Sequence, residues 1–484
     1  MKRFLIAILL LIIAGNSLPF QAQPGAKRPN IIFIQTDDQA AWALSASGNH
    51  DAYTPNLDRF FREGAYLKNA FVSTPVCSPS RASLLTSRYG SEVGITDWIN
   101  PNLEPEIGLS TDVPTWTKLL ADNGYFCGLV GKWHLGTQDR FHPSHFDFKY
   151  FMGFREGGIS TKDPKLEVEG QQKQLTGFFV DIATDDAIRF LRDHQNKTFM
   201  LMLNYREPHT AYLPVRDEDW AKVKDLDPKV ADYPDLDVAR AKKAMREYLA
   251  SVAAIDRNIG RLLTTVDELK LRENTIVVFT SDHGYNIGQH GIWHKGNGHY
   301  ITNAAAKFKN QDPAIQRPNV FDTSLRTPTA VRWPKVIKPG TEVKRTTTNL
   351  DWFPTMLSIA GISLPANIKF RGRDITPLLR GESVKWEDDL YVEWSQHHYT
   401  TTHLRMYRTT EWKLVRDFLN EGKDELYNLK VDPEESKNLI GDPSTKAMQQ
   451  KLGVKLLARM RENNDPILKT VKSNGGGRRL IDEK

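Results

Sequence analysis

The sequence predicts an α/β protein: a large mixed, mostly parallel sheet flanked by helices, then a smaller C-terminal α+β region with a short antiparallel sheet. Three observations carry this reading. Runs such as "NIIFIQ", "FMLML" and "TIVVF" are continuously apolar, as in strands buried on both faces. Amphipathic helical stretches separate them, which is the pattern of a parallel sheet covered by helices. Past residue 370 the texture changes to short, alternating, aromatic-containing runs.

The elements follow in chain order. "MKR", the apolar "FLIAILLLIIAG" and a small-residue stretch read as an export signal over 1–22, removed near Ala22. The apolar core is shorter than the roughly 20 residues of a spanning helix, and no later segment is apolar for long enough. No cysteine follows that core, so a lipid anchor is not expected, and the mature chain is placed in a periplasm or outside the cell. "PNIIFIQTDD" (29–38) is a strand ending at two aspartates, and 55–71 reads as a helix with Leu57, Phe60, Phe61 and Leu67 on its apolar side. A short helix over 114–125 leads into a small strand and turn in "FCGLVGKWHLG". The spacing of Val180, Ala183, Ala187, Phe190 and Leu191 predicts a helix over 180–194. A strand and loop over 198–209, a long helix over 239–268 and a strand over 275–284 complete the repeat. The segment 284–320 is rich in glycine, asparagine and histidine without periodicity, and is expected as a long functional loop. Three short strands over 388–418 and a helix over 444–462 follow, then a flexible tail over 471–484. The domains expected are 27–370 and 371–470.

Composition narrows the function. About 460 mature residues exceed the roughly 250–300 at which one core stops growing, hence two units. The formal charge is +6, two of it from Lys2 and Arg3 of the signal. No dense Lys/Arg stripe supports a nucleic-acid partner, while an anionic substrate is permitted. The two cysteines, Cys77 and Cys127, allow one disulfide in an oxidising compartment.

Several polar groups stand out. Asp37–Asp38 and Asp282–His283 both close apolar strands, where carboxylates are costly unless paired or bound to metal. Together they could hold one divalent ion. Oxygen ligands favour calcium or magnesium, and the histidine leaves the choice open. Capping of turns is the alternative. Lys132 and His134 in "GKWHLG" project to one side if locally extended, so a fixed cation beside an imidazole could hold an anion and move protons; an exposed salt-bridged turn is the alternative. His209 in "REPH" and His294–Lys295 in "IWHKG" repeat the combination. Arg81 could activate Cys77 as a thiolate, but a cysteine hydrolase has no need of two metal-type pairs.

"CSPSR" (77–81), continuing into "ASLLTSRY", resembles the signature of the type I, formylglycine-dependent sulfatases of the alkaline phosphatase-like superfamily. "PNIIFIQTDDQ", "GKWHLG", "PHTAYLP", "TIVVFTSDHG", "GRDITPLL" and "ELYNLKVDPEESKNL" extend the resemblance over most of the chain. It implies an alkaline phosphatase-like fold, with 27–370 as the catalytic domain. It implies conversion of Cys77 to Cα-formylglycine (3-oxoalanine) by a formylglycine-generating or other sulfatase-maturing enzyme, which requires a free thiol and leaves Cys127 as a buried small residue. Asp37, Asp38, Asp282 and His283, with residue 77, fall on the metal positions, where the ion is usually Ca2+; many relatives carry asparagine in place of His283. Arg81 supports the aldehyde hydrate, and Lys132, His134, His209 and Lys295 match the shell around sulfate. One hydroxyl of the hydrate would attack sulfur, with His209 protonating the leaving oxygen and His134 deprotonating the second hydroxyl so that sulfate departs.

The substrate expected is a sulfated carbohydrate, given export and modest positive charge. Trp394, His397, His398 and His403 are candidate sugar contacts, with a wet inter-domain surface as the alternative reading. A phosphate or phosphonate monoester hydrolase of the same superfamily is the rival activity, and an inactive carbohydrate-binding protein is the rival class.

Overall fold

The computed structural model describes residues 28–309 and 312–469, so the expected export signal and the tail lie outside the described residues. Among these residues the main sheet has ten strands. Its centre is the parallel set Thr275–Ser281, Asn30–Thr36, Phe199–Asn204, Phe126–Lys132 and Tyr150–Phe154. Antiparallel strands extend both sides: Thr329–Arg332 beside Thr275–Ser281, and Lys165–Val168 beside Tyr150–Phe154.

The first strand shows why its run is unbroken. Ile31 and Phe33 point into one layer with Trp116, Leu120, Phe353 and Met356. Ile32 and Ile34 point into the other, with Phe190, Leu191, Ile255 and Ile259 of the helices Phe179–His194 and Val238–Glu268. Each such side chain stabilises the fold by roughly 1.5–3 kcal/mol, and a strand covered on both faces has no position to spare for polarity.

Two expectations are corrected. The helix read over 55–71 ends at Arg62, and Ala65–Leu67 and Ala70–Phe71 are strands. The chain turns at Gly64, where a Cβ would lie 2.1 Å from the Val331 carbonyl oxygen, and Ala65–Leu67 then pairs with Thr329–Arg332. The aperiodic segment 284–320 contains a small antiparallel sheet: Asn286–Ile287, Ile292–His294, Asn297–Tyr300 and Gln316–Pro318. Strands this short carry too few residues for alternation to show.

The C-terminal sheet, Leu390–Gln396, Thr402–Arg408, Trp412–Asp417 and Glu425–Asn428, is antiparallel throughout. Helix Lys446–Glu462 covers one face through Leu452, Leu456, Leu457 and Met460. The other face, with Val392, Trp394, Leu404 and Met406, packs on Val72, Val76 and Cys77. At the junction Asp322 accepts from Arg408 Nη2 at 2.9 Å and Lys413 Nζ at 3.1 Å. No helix among the described residues is long and apolar enough to cross a membrane.

Candidate active site

The pairing of Thr36 with Ser281 places the two strand ends side by side, so Asp37, Asp38, Asp282 and His283 converge, all fully buried. The Asp38 N–H donates to Asp282 Oδ1 at 3.1 Å. Helix Cys77–Thr86 begins at this cluster with Cys77, and its Arg81 lays Nε and Nη2 each 3.0 Å from Asp282 Oδ2. Ser80 fastens the same helix by donating its hydroxyl to the Asp282 carbonyl. Lys132, at the end of its strand, gives Nζ–H to Asp37 Oδ2 at 2.5 Å and to the Gly157 carbonyl at 2.6 Å. Lys295 reaches Asp38 Oδ1 at 2.7 Å and Cys77 Sγ at 3.0 Å. That reach depends on Gly296, whose N–H donates to the Pro75 carbonyl at 3.1 Å; a Cβ there would lie 2.6 Å from the Pro75 ring.

Charge explains the site. Burial disfavours an ionised Asp37, yet Lys132 and Arg81 hold its carboxyl well below the usual carboxylate range. Burial alone would raise the Cys77 thiol, and Lys132 and Lys295 reverse this, holding it well below its usual value. Burial and Lys132 keep His134 down, and burial and Lys295 keep His209 well down, so both rings rest neutral. Burial disfavours a charged His283, yet Asp282 brings its pKa up to about 9, as in a site built to host positive charge.

The donor set fits a divalent cation. His283 Nδ1 lies 2.9 Å from the Gly284 carbonyl and donates to it. Nε2 then faces Asp38 Oδ1 at 3.2 Å and Asp282 Oδ1 at 3.4 Å, where it carries a proton that a bound cation would displace. His283 Nε2, Asp37 Oδ1 and Asp38 Oδ2 are buried without a hydrogen-bond partner, and buried acceptors in that state demand a cation or a proton between them. Ligand atoms of Asp37, Cys77, Asp282 and His283 all lie within 4.8 Å of one another.

Above the cluster opens a cavity of about 500 Å3, with Cys77 and Lys295 among its lining. His134 and His209 also line it. His134 Nε2 is 3.1 Å from the Ile99 carbonyl, so it donates there and leaves Nδ1 as the acceptor on the side of Cys77. His209 Nδ1 donates to the Thr210 carbonyl at 2.7 Å, leaving Nε2 3.9 Å from Asp38 Oδ2. Each ring thus keeps one unprotonated nitrogen.

The structure brings together Asp37, Asp38, Cys77, Arg81, Lys132, His134, His209, Asp282, His283 and Lys295. It does not bring Trp394, His397, His398 or His403 to the lining of this cavity. Trp394 is 1% exposed and packs with Cys77 and Val76 behind the helix start. His403 sits opposite Ser395 on the next strand. His397 and His398 bind Glu104 at 2.7 and 2.9 Å, in support of the rim rather than on it. The rim residues that the sequence reading did not single out include Trp98, Glu156, Asn297, His299, Gln316 and Tyr399. Tyr399 lies one residue beyond the His397–His398 pair, and only the turn reveals which neighbour faces in. Cys127 is a free, fully buried thiol within its strand.

Comparisons with known proteins agree with this geometry. The sulfatase family profile matches residues 29–362, and the profile "N-sulphoglucosamine sulphohydrolase, C-terminal" matches 316–463. An N-acetylglucosamine-6-O-sulfatase of Bacteroides thetaiotaomicron is 28% identical, over 98% of this chain and 95% of that protein. The human steryl-sulfatase is 27% identical over 80% of this chain and 76% of its own. A solved structure in complex with its substrate D-glucosamine-2-N,6-O-disulfate superposes with a TM-score of 0.78. It is 26% identical and covers 91% of this chain and 99% of its own.

Proposed function

Because this chain belongs to the sulfatase family, we propose that it hydrolyses a sulfate monoester carried by a sugar, with residue 77 matured from cysteine to Cα-formylglycine by a sulfatase-maturing enzyme. The observation that carries the reading is the position of Cys77, 3.0 Å from Lys295 Nζ, within ligand reach of Asp37, Asp282 and His283, and open to the cavity that His134 and His209 flank. Asp37, Asp38, Asp282 and His283, with residue 77, would hold the ion, and three carboxylates favour Ca2+. Bound there, the ion would neutralise charge on the sulfuryl oxygens and lower the pKa of the attacking hydroxyl.

The protein's own groups do the rest. Lys132 and Lys295 are fixed by carboxylates before substrate arrives, so they meet charge developing on sulfur's oxygens without reorganising. Arg81 orients Asp282 and stands one helical turn from residue 77. His134, neutral and with Nδ1 free, takes a proton from residue 77. His209, on the same cavity, takes up a proton from solvent at Nε2 once an anionic ester beside its ring raises its affinity for it, and hands that proton to the leaving oxygen. Export to a periplasm or beyond, read from residues 1–22, fits a polymer-derived substrate.

The sugar is favoured by the relatives that act on glucosamine sulfates and by a lining that mixes aromatic and neutral polar side chains. The test is sulfate release from defined sulfated sugars, steryl sulfate and the matching phosphate esters. It uses protein co-expressed with a formylglycine-generating enzyme and mass analysis of the peptide containing residue 77. Release from sugar sulfates is expected. Faster phosphate-ester turnover would instead make the chain a phosphomonoesterase, and glycan binding without release by fully matured protein would make it a binding protein.

A further inference from the structure

The cavity lining draws on two unlike groups of residues. In one, Trp98 and Tyr399 lie with ring centroids 6.3 Å apart and planes within 27°. Tyr399 is 53% exposed at the tip of the turn between the first two C-terminal strands, and its backbone takes a left-handed φ of 65°. A non-glycine residue in that conformation is held there by its surroundings, and the surroundings are specific. Asp97 accepts from the backbone N–H of His397 at 2.9 Å and of His398 at 3.2 Å. Glu104 receives His397 Nε2 on one oxygen and His398 Nε2 on the other. The His398 ring lies 4.5 Å from that of Trp98. One loop of the main unit therefore grips the turn by backbone and side chain, and the grip presents Tyr399 beside Trp98.

The small antiparallel sheet contributes His294, Asn297, His299 and Gln316 to the same lining. Burial keeps His294 neutral with a pKa near 3, and burial with Arg240 keeps His299 neutral near 4. His299 Nε2 has no hydrogen-bond partner. Among the described lining residues the one Lys or Arg is Lys295, already engaged by Asp38 and Cys77. Glu156, an exposed carboxylate, also lines the cavity.

We propose that Trp98 and Tyr399 form a platform for the sugar ring that carries the scissile sulfate, and that the neutral part of the lining selects a ring whose single anionic group is that sulfate. This rests on the sulfatase reading above. An aromatic face suits the C–H face of a pyranose, neutral imidazole and amide groups suit hydroxyls, and a second sulfate or a carboxylate would meet Glu156 and, within the lining, no cation but the engaged Lys295. Asp97 and Glu104 are positioning residues, acting through the turn.

The experiment compares matured wild type with Tyr399→Ala and Tyr399→Phe on the best monosulfated sugar, and wild type on that sugar with and without a second sulfate on the same ring. Inhibition by inorganic sulfate is read alongside. Tyr399→Ala is expected to raise KM roughly three- to tenfold, the worth of an aromatic contact, with kcat and the sulfate Ki within about twofold. Tyr399→Phe should restore KM, and the disulfated sugar should show kcat/KM at least about tenfold lower than the monosulfated one, on the scale of a like-charge penalty. An unchanged KM in Tyr399→Ala with an unchanged melting temperature overturns the platform, and equal or faster turnover of the disulfated sugar overturns the charge selection. Absence of release from every ester by matured wild type would instead sink the sulfatase reading itself.

Discussion

Cys77 and Cys127 are the same residue type in opposite chemical settings. Cys127 is fully buried in a central strand, and burial pushes its thiol above the range in which it ionises. Cys77 begins a helix and is 3% exposed beside Lys295. Cys77→Ala is therefore expected to lower sulfate release by roughly 10^3-fold or more, as removal of a nucleophile does. Cys127→Ala should leave turnover within about twofold and cost about 1 kcal/mol in urea unfolding for its small cavity. Equal losses of activity in the two variants would remove the distinction. The charged core of the site was legible because aspartates and a histidine abruptly closed apolar strands at 37–38 and 282–283. The rim was not legible. Trp98 and Tyr399 come from loops and His299 from a short strand, far apart in sequence, and nothing in their local spacing says that they meet.

Elements read well where periodicity was long. The helices expected over 180–194 and 239–268 are Phe179–His194 and Val238–Glu268. Where runs were short, tertiary contact decided, as when Gly64 turned the chain into Ala65–Leu67. Trp394 illustrates a signal present but outweighed. Leu390, Val392 and Trp394 alternate along one strand face, and all three are buried against Val72, Val76 and Cys77. That face is a packing surface, although an aromatic beside histidines suggests a sugar site. Trp394→Ala should destabilise the protein by roughly 3–5 kcal/mol, read as a lowered melting temperature, whereas residual soluble enzyme should keep KM for the sugar within about twofold. A raised KM at unchanged melting temperature would return Trp394 to the binding surface.

Over the whole molecule, the junction between the two sheets combines apolar packing with buried charge. Lys413 is shared by Asp322 and Glu435 at 3.1 and 2.5 Å. Burial opposes both charges. Lys413, Arg408 and Arg326 keep Asp322 ionised, while burial raises Glu435 to about 7. Between its ordinary 4.5 and about 7 the folded protein holds a proton on Glu435 that the unfolded chain has released, so this group makes stability fall as pH rises through that window. Glu435→Gln should flatten the fall, measured as urea unfolding at pH 5 and pH 7.5; an unchanged difference would show that Glu435 is ionised throughout. The same docking has a temporal consequence. The sheet that packs behind Cys77 is encoded some three hundred residues after the thiol itself. While that stretch is still being made, Cys77 lacks the backing of Val392, Trp394, Leu404 and Met406, and a maturing enzyme would meet it more openly than in the finished fold.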